Sequence, residues 1–446
     1  MTSVLTPSSA PAPGPVTPDN PPRERGHAPA DGPVVRPVRR RAAHATRALL
    51  ISLSLLNAAL TVLVVAPLPR IPSLVVVAVA VTSWSLVLVP PALAGLGAAA
   101  LAARRHPWWA PVAALTAFGA LVCGTMPYAA AYRTAARYGQ PLGVGAYLDG
   151  GVNYAKVPFR GRGLTYARVG GERLRLDLWA LPKRPAVRRP AVIWVHGGGW
   201  TKGHRSQSPR WNRWFNARGW SVFDIDYRLA PRHTQLDQIG DVRCAVGWVR
   251  RHARVYGVDP DRLVLAGSSA GGNLALAAAF TQVRGAAHGG GTQRERRTGP
   301  ACAVRDSSVA GVVSLYGPTD MRHLIERTVL RGDSAMPRLM GGSAATAPER
   351  YRLGSPARLV HRGVPPTLLL HGSADRAVPV AQARDLARRL AAVGADATYV
   401  ELPWADHCFD VNWGGWGSQL ARAAIDGFLD RFTDRSPVRQ LPGERA

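Results

Sequence analysis

Residues 262–280 read RLVLAGSSAGGNLALAAAF. A short β-rich apolar run ends in a turn of small residues, and a helix-like Ala/Leu run follows. Gly267, Ser268, Ser269, Ala270 and Gly271 fit G-x-S-x-G with Ser269 at the centre. A serine on a sharp strand-to-helix turn is held in a strained backbone, and bulky flanking residues would clash there. The pattern alone also describes an ordinary Gly–Ser turn, in a chain that carries 46 glycines. A reactive serine is defined by its partners, so they must be sought along the chain.

Outward from this stretch the chain alternates strands and helices. Residues 174–181 (LRLDLWAL) alternate with period two, the mark of a half-buried strand. Residues 191–196, 220–227, 262–267, 309–317 and 366–372 read as buried strands, and 397–403 closes the series. Helical patterns lie between several of them, at 236–256 and 380–393. Strands alternating with helices imply βαβ units and a mainly parallel sheet covered on both faces. Sites on such sheets form at the carboxyl ends of the strands. Residues 320–360 read as irregular and able to cap such a site, and 284–308 as a polar, Gly-rich surface insertion.

Three candidate features lie at predicted strand ends. His196-Gly197-Gly198-Gly199-Trp200 follows the strand AVIWV. Glycines there let backbone N–H groups face a cavity and hold an oxyanion. The N–H of Ala270, next after Ser269 and at a helix start, is their expected partner. Asp375, in HGSADRAVPV (371–380), suits the orienting of an imidazole, although an Asp there also suits a helix N-cap. His407, in PWADHCFD, stands where a general base is needed. His196 and His371 read as structural, Asp226 as loop-orienting and Cys408 as a packed small residue. Trp404, Trp413 and Trp416 read as packing around an end helix.

The order Ser269, Asp375, His407 is the nucleophile–acid–histidine order of α/β-hydrolases. With HGGGW, DYRLAP (226–231), GSSAGG, HGSAD and DHCFD, residues 165–435 resemble the α/β-hydrolase superfamily and, within it, the hormone-sensitive-lipase-like carboxylesterases. The resemblance implies Gly198 and Gly199 as oxyanion donors and a carboxylic ester of short or medium acyl chain as substrate. It implies no metal or organic cofactor. The 284–308 insertion and the lack of N-terminal cap helices depart from the pattern and leave the substrate class open. An acyltransferase on the same triad and a non-catalytic membrane scaffold are the alternatives.

The N-terminal part is different. Residues 1–45 are rich in Pro, Ala and Arg without apolar periodicity and read as disordered. A membrane region is expected over 46–131. Residues 49–68 carry no charge and are long enough for a span. Residues 71–103, interrupted by Pro90-Pro91, suit one span plus a kinked or interfacial extension, and 108–131 a third span opening on Trp108-Trp109. Arg36, Arg39, Arg40, Arg41 and Arg47 precede the first run, Arg70 follows it, and Arg104 and Arg105 follow the second. That bias predicts a cytoplasmic N-terminus and an extracytoplasmic catalytic domain over 155–435, while Arg133 and Arg137 argue mildly the other way. A cleaved signal peptide fits poorly. Residues 436–446 read as a tail.

The net charge is +28, and only three of the 56 basic residues are Lys. No nucleic-acid motif accompanies the charge, so membrane lipids rather than nucleic acid are the expected partner. Cys123, Cys244, Cys302 and Cys408 form no C-x-x-C pair, and at most one disulfide is available among the last three.

Overall fold

A computed structural model describes residues 35–65, 72–137, 141–155, 157–158, 161–181, 188–282, 302–327 and 335–433. The expected tail over 436–446, residues 1–34 and residues 284–301 of the expected insertion lie outside these. By its contacts the chain divides into residues 1–48 and 49–446.

Helix α1 (Val35–Val65) starts well before the apolar run. Residues 35–45, read from composition as disordered, are therefore helical. Arg and Ala are strong helix formers, and extending an existing helix needs no new nucleus. The second apolar run splits. Helix α2 (Pro72–Ser83) ends before Trp84, a 3₁₀ turn covers Ser85–Leu88, and α3 (Val89–Ala102) follows. Pro90 and Pro91 sit in the first turn of α3, where their missing N–H groups are not needed, so the break lies upstream of them. Helix α4 is Trp109–Arg137. Among the described residues, three stretches, Ala43–Val65, Ser85–Ala102 and Trp109–Arg137, are long and apolar enough to cross a membrane.

Small residues face inward. Ala92, Gly95, Ala99 and Ala102 of α3 and Ala110, Ala113, Ala117 and Ala120 of α4 are buried at helical spacing. A Cβ on Gly95 would sit 2.9 Å from the Ala117 Cβ, so the backbones approach closely. Large apolar side chains such as Leu55, Val76, Leu101, Leu115 and Phe118 face outward.

After the short helix α5 (Val144–Asp149), eight strands among the described residues form one sheet: β1 (Arg162–Val169), β2 (Glu172–Trp179), β3 (Arg189–Val195), β4 (Ser221–Ile225), β5 (Val258–Ser268), β6 (Gly311–Leu315), β7 (Thr367–Gly372) and β8 (Ala397–Leu402). Their order is β1-β2-β4-β3-β5-β6-β7-β8. Strand β2 runs antiparallel to β1 and β4, and the other pairs are parallel. Edge strand β1 was not legible, because its RGLTYARV is only weakly patterned. It meets water on one side and needs no continuous apolar run.

The strand period divides the core into two layers. Ile193 and Val195 of β3 pack on one face with α7 (Gln235–Tyr256) and α8 (Ala270–Phe280). Val192 and Trp194 pack on the other, with α6 (Pro209–Ala217) and the C-terminal helix. Thr234 caps α7 in a reciprocal capping box with Asp237, and left-handed Gly257 ends it. The segment 320–360, expected to be irregular, holds helices α9 (Met321–Arg327), α10 (Ala335–Met340) and α11 (Pro348–Leu353), each too short to show a helical period. Helices α12 (Ala381–Ala392) and α13 (Trp416–Leu429) complete the fold. Cys302 is bonded to Cys244 of α7, which pins the end of the 284–308 segment to the sheet-covering layer.

Candidate active site

Parallel strands end on one side of the sheet, so β3, β5, β7 and β8 deliver their following loops to one edge. Those loops carry Gly198 and Gly199, Ser269, Asp375 and His407. Ser269 has φ 52° and ψ −122°, a conformation rare for a residue with a side chain. Its N–H donates to the Leu315 carbonyl at 2.8 Å and its carbonyl accepts from Asn273 N–H at 3.1 Å. The glycine at 271 is forced by crowding, since a Cβ there would lie 2.1 Å from the Val195 carbonyl oxygen. Ser268 is the buried last residue of β5, opposite Leu315 of β6.

The three sequence-predicted side chains meet in line. Ser269 Oγ is 3.0 Å from His407 Nε2, and His407 Nδ1 is 2.9 Å from Asp375 Oδ2. Asp375 Oδ1 accepts from the Ala377 and Val378 N–H groups at 2.9 and 2.7 Å. His371 Nε2 lies 3.2 Å from Asp375 Oδ2 and donates to the Val378 carbonyl at 2.9 Å. Burial alone would raise the Asp375 carboxyl. The His407 charge and the hydrogen bonds from His371 and His407 outweigh it and hold the group well below the usual carboxylate range. Burial alone would lower His407, but the Asp375 charge and hydrogen bond win and lift it above 6.5. The arrangement keeps Nδ1 protonated and Nε2 free to accept the serine proton.

The Gly-rich loop approaches Ser269 closely: a Cβ on Gly197 would stand 3.4 Å from the Ser269 Cβ. Gly198 has φ 121°, and a Cβ there would lie 2.1 Å from the Lys202 carbonyl oxygen, so only glycine fits. Among the described residues, the N–H groups of Gly198, Gly199 and Ala270 are not spent on another acceptor. His196 anchors the loop, its Nδ1 donating to the Gly197 carbonyl at 2.7 Å and its ring stacking on Tyr227, while burial pulls its pKa down to about 4. Asp226 holds the far end of the loop, accepting from Arg205 N–H at 2.7 Å. Asp177 and Asp224 accept from Arg205 and Ser206 beside it, and burial pushes Asp224 up to about 7.

Sequence reasoning set His371 aside as structural, yet it touches the acid. Asp410 was not singled out either. It is buried and accepts from Tyr316 Oη at 2.5 Å, Trp211 Nε1 at 2.7 Å and Asn153 Nδ2 at 2.9 Å. The Tyr316 ring meets the His407 imidazole edge-on, centroids 4.8 Å apart. A second acid three residues past His407, in DHCFD, was the available signal. Trp416 stacks on Tyr147 and Trp413 packs edge-on against Trp211. Among the described residues, no cluster of three or more His, Cys, Asp or Glu side chains could hold a metal ion.

The sheet order and the strained serine turn define the protein's class, an α/β-hydrolase fold carrying a Ser–His–Asp arrangement at its strand ends. The BD-FAE family matches residues 176–390. Esterase LipC of Mycobacterium tuberculosis is 36% identical over 239 residues, 53% of this chain and 57% of its own length. Esterase LipQ of the same organism is 34% identical over 264 residues, 58% of this chain and 60% of its own. The chain thus spans less than two thirds of these curated relatives. The apo form of Thermogutta terrifontis esterase 2 superposes with a TM-score of 0.50 at 25% identity, covering 64% of this chain and 98% of that one. The chain has the α/β-hydrolase fold and is similar to these esterases.

Proposed function

We propose that this protein is a membrane-anchored serine hydrolase that cleaves carboxylic esters through an acyl-enzyme. The observation that carries the reading is the unbroken hydrogen-bonded line from Ser269 Oγ through His407 to buried Asp375. Ser269 attacks the ester carbonyl while His407 takes its proton, and the N–H groups of Gly198, Gly199 and Ala270 hold the oxyanion. His407 then protonates the leaving alcohol. In the second half it activates water, which attacks the acyl carbonyl and releases the acid and Ser269. Carboxylic esters are the substrate class, in keeping with the esterase names of the relatives, and a short or medium acyl chain is what the family resemblance implies.

Anchoring is supported by the three apolar helices and by the large apolar side chains they turn outward. The Cys244–Cys302 disulfide suits an oxidising, extracytoplasmic compartment for the catalytic domain, as the Arg distribution does. A panel of p-nitrophenyl esters with a fluorophosphonate probe tests the function. Wild type should turn over and label, and Ser269→Ala should do neither. An unlabelled wild type, or product dominated by a new ester when glycerol is present in water, would refute it. Protease accessibility in intact cells against inverted vesicles tests the sidedness, which is wrong if only vesicles are cut.

A further inference from the structure

We propose that the apolar helical bundle positions the Asp375–His407 pair, with Arg376 and Trp404 as the positioning residues. The inference rests on the serine-hydrolase reading. Arg376 follows the acid directly. Its Nη2 donates to the Leu63 and Val64 carbonyls at 3.1 and 2.6 Å. Among the described residues these are last-turn carbonyls of α1 without an intrahelical donor, at the negative end of the helix dipole. A guanidinium satisfies both.

The same arginine binds the histidine loop. Its Nη1 donates to Asp406 Oδ2, and its backbone N–H to Asp406 Oδ1 at 2.9 Å. Asp406 Oδ1 also accepts from the His407 N–H at 2.7 Å. One fully buried carboxylate thus ties the residue after the acid to the backbone of the base, and Arg376 links both to the bundle. Trp404, three residues before His407, packs into the bundle against the cluster of Val64, Leu88 and Cys123. Its backbone N–H donates to Ser373 Oγ at 2.9 Å, on the acid loop. Farther along the histidine loop, Asn412 Nδ2 donates to the Ser83 carbonyl at the end of α2 at 2.9 Å. Both triad loops therefore rest on the helices rather than on the sheet alone.

The catalytic atoms touch neither Arg376 nor Trp404, so the contribution is geometric. Misplacing a catalytic group by about 1 Å costs on the order of 100-fold in rate. Full-length Arg376→Ala, Arg376→Lys, Trp404→Ala and Leu88→Ala in the same detergent would be compared by ester kinetics, fluorophosphonate inactivation rate, labelling endpoint and melting temperature. Arg376→Ala and Trp404→Ala should lower kcat by about tenfold or more with KM nearly unchanged. Inactivation should slow by the same factor at an undiminished labelling endpoint, and Arg376→Lys should fall between wild type and Arg376→Ala. Leu88→Ala, wholly within the bundle, should lower kcat in the same direction, and it decides the matter if Arg376→Ala does not fold. Equal inactivation rates in wild type and variants, or losses matched by a lower labelling endpoint, would overturn the proposal. An unlabelled wild type would instead overturn the serine-hydrolase reading beneath it.

Discussion

Asp375→Asn isolates what the buried acid does. The amide has the volume of the carboxylate but only one acceptor atom, and four donors converge on it. Two are fixed backbone N–H groups, from Ala377 and Val378, at 2.9 and 2.7 Å on Oδ1. The others are His407 Nδ1 at 2.9 Å and His371 Nε2 at 3.2 Å on Oδ2. If the amide oxygen faces the imidazoles, the NH₂ meets two backbone donors. Each buried donor left unsatisfied costs about 1–3 kcal/mol. The amide oxygen will therefore face the backbone and its NH₂ will face His407 Nδ1, which must then accept. That places the His407 proton on Nε2, against Ser269 Oγ, and the base is lost. A wrong tautomer of this kind lowers kcat by roughly 10⁴-fold in serine proteases, about 5.4 kcal/mol at 1.36 kcal/mol per tenfold. A fall of 10³- to 10⁴-fold is the expectation here. The wild-type pH profile gives the complementary measurement. His407 must be neutral to act and Asp375 holds its pKa above 6.5, so kcat/KM should be full at alkaline pH and fall on acidification with a midpoint above 6.5. Rates of p-nitrophenyl butyrate hydrolysis across pH, with melting temperatures, supply both numbers. Activity of Asp375→Asn within tenfold of wild type, or a wild-type midpoint below 6.5, would refute the reasoning.

Ser269→Ala should abolish turnover while Ser268→Ala keeps much of it, because Ser268 is a buried strand residue; equal losses in ester assays would mean the turn is misread. Gly198→Ala forces a Cβ to 2.1 Å from the Lys202 carbonyl oxygen at φ 121°, so the loop must shift. With an oxyanion donor displaced, kcat should fall about 10²- to 10³-fold, and a near-wild-type kcat would remove Gly198 from that role. Cys244→Ser opens a cross-link between residues 58 apart, and chain entropy puts the loss near 4 kcal/mol. Thermal melting with and without reductant checks it, since a wild type indifferent to reductant contradicts a stabilising bridge.

Much of the fold and of the candidate site was legible in the chain because both rest on local rules. Buried parallel strands need continuous apolar runs, so β3 to β7 were readable. The serine turn admits only small neighbours, and the order Ser269, Asp375, His407 follows the strands that carry them. The break at Trp84, the helix at 35–45 and edge strand β1 escaped. The first two depend on how neighbouring helices continue or pack, and an edge strand needs little apolar pattern. His371 and Asp410 escaped for a related reason. A buried histidine or acid looks alike in sequence whether it supports a core or a triad, and only its partners tell. The sequence alone thus determined the fold class and pointed to the candidate serine and its two candidate partners, because backbone strain and strand order leave a residue-level trace. Tertiary structure decided which groups fix the acid, how the Gly-rich loop is braced by Arg205 and three aspartates, and that Arg376 reaches Leu63 and Val64. The last of these joins residues more than three hundred positions apart through backbone carbonyls, which every residue possesses and no sequence pattern marks.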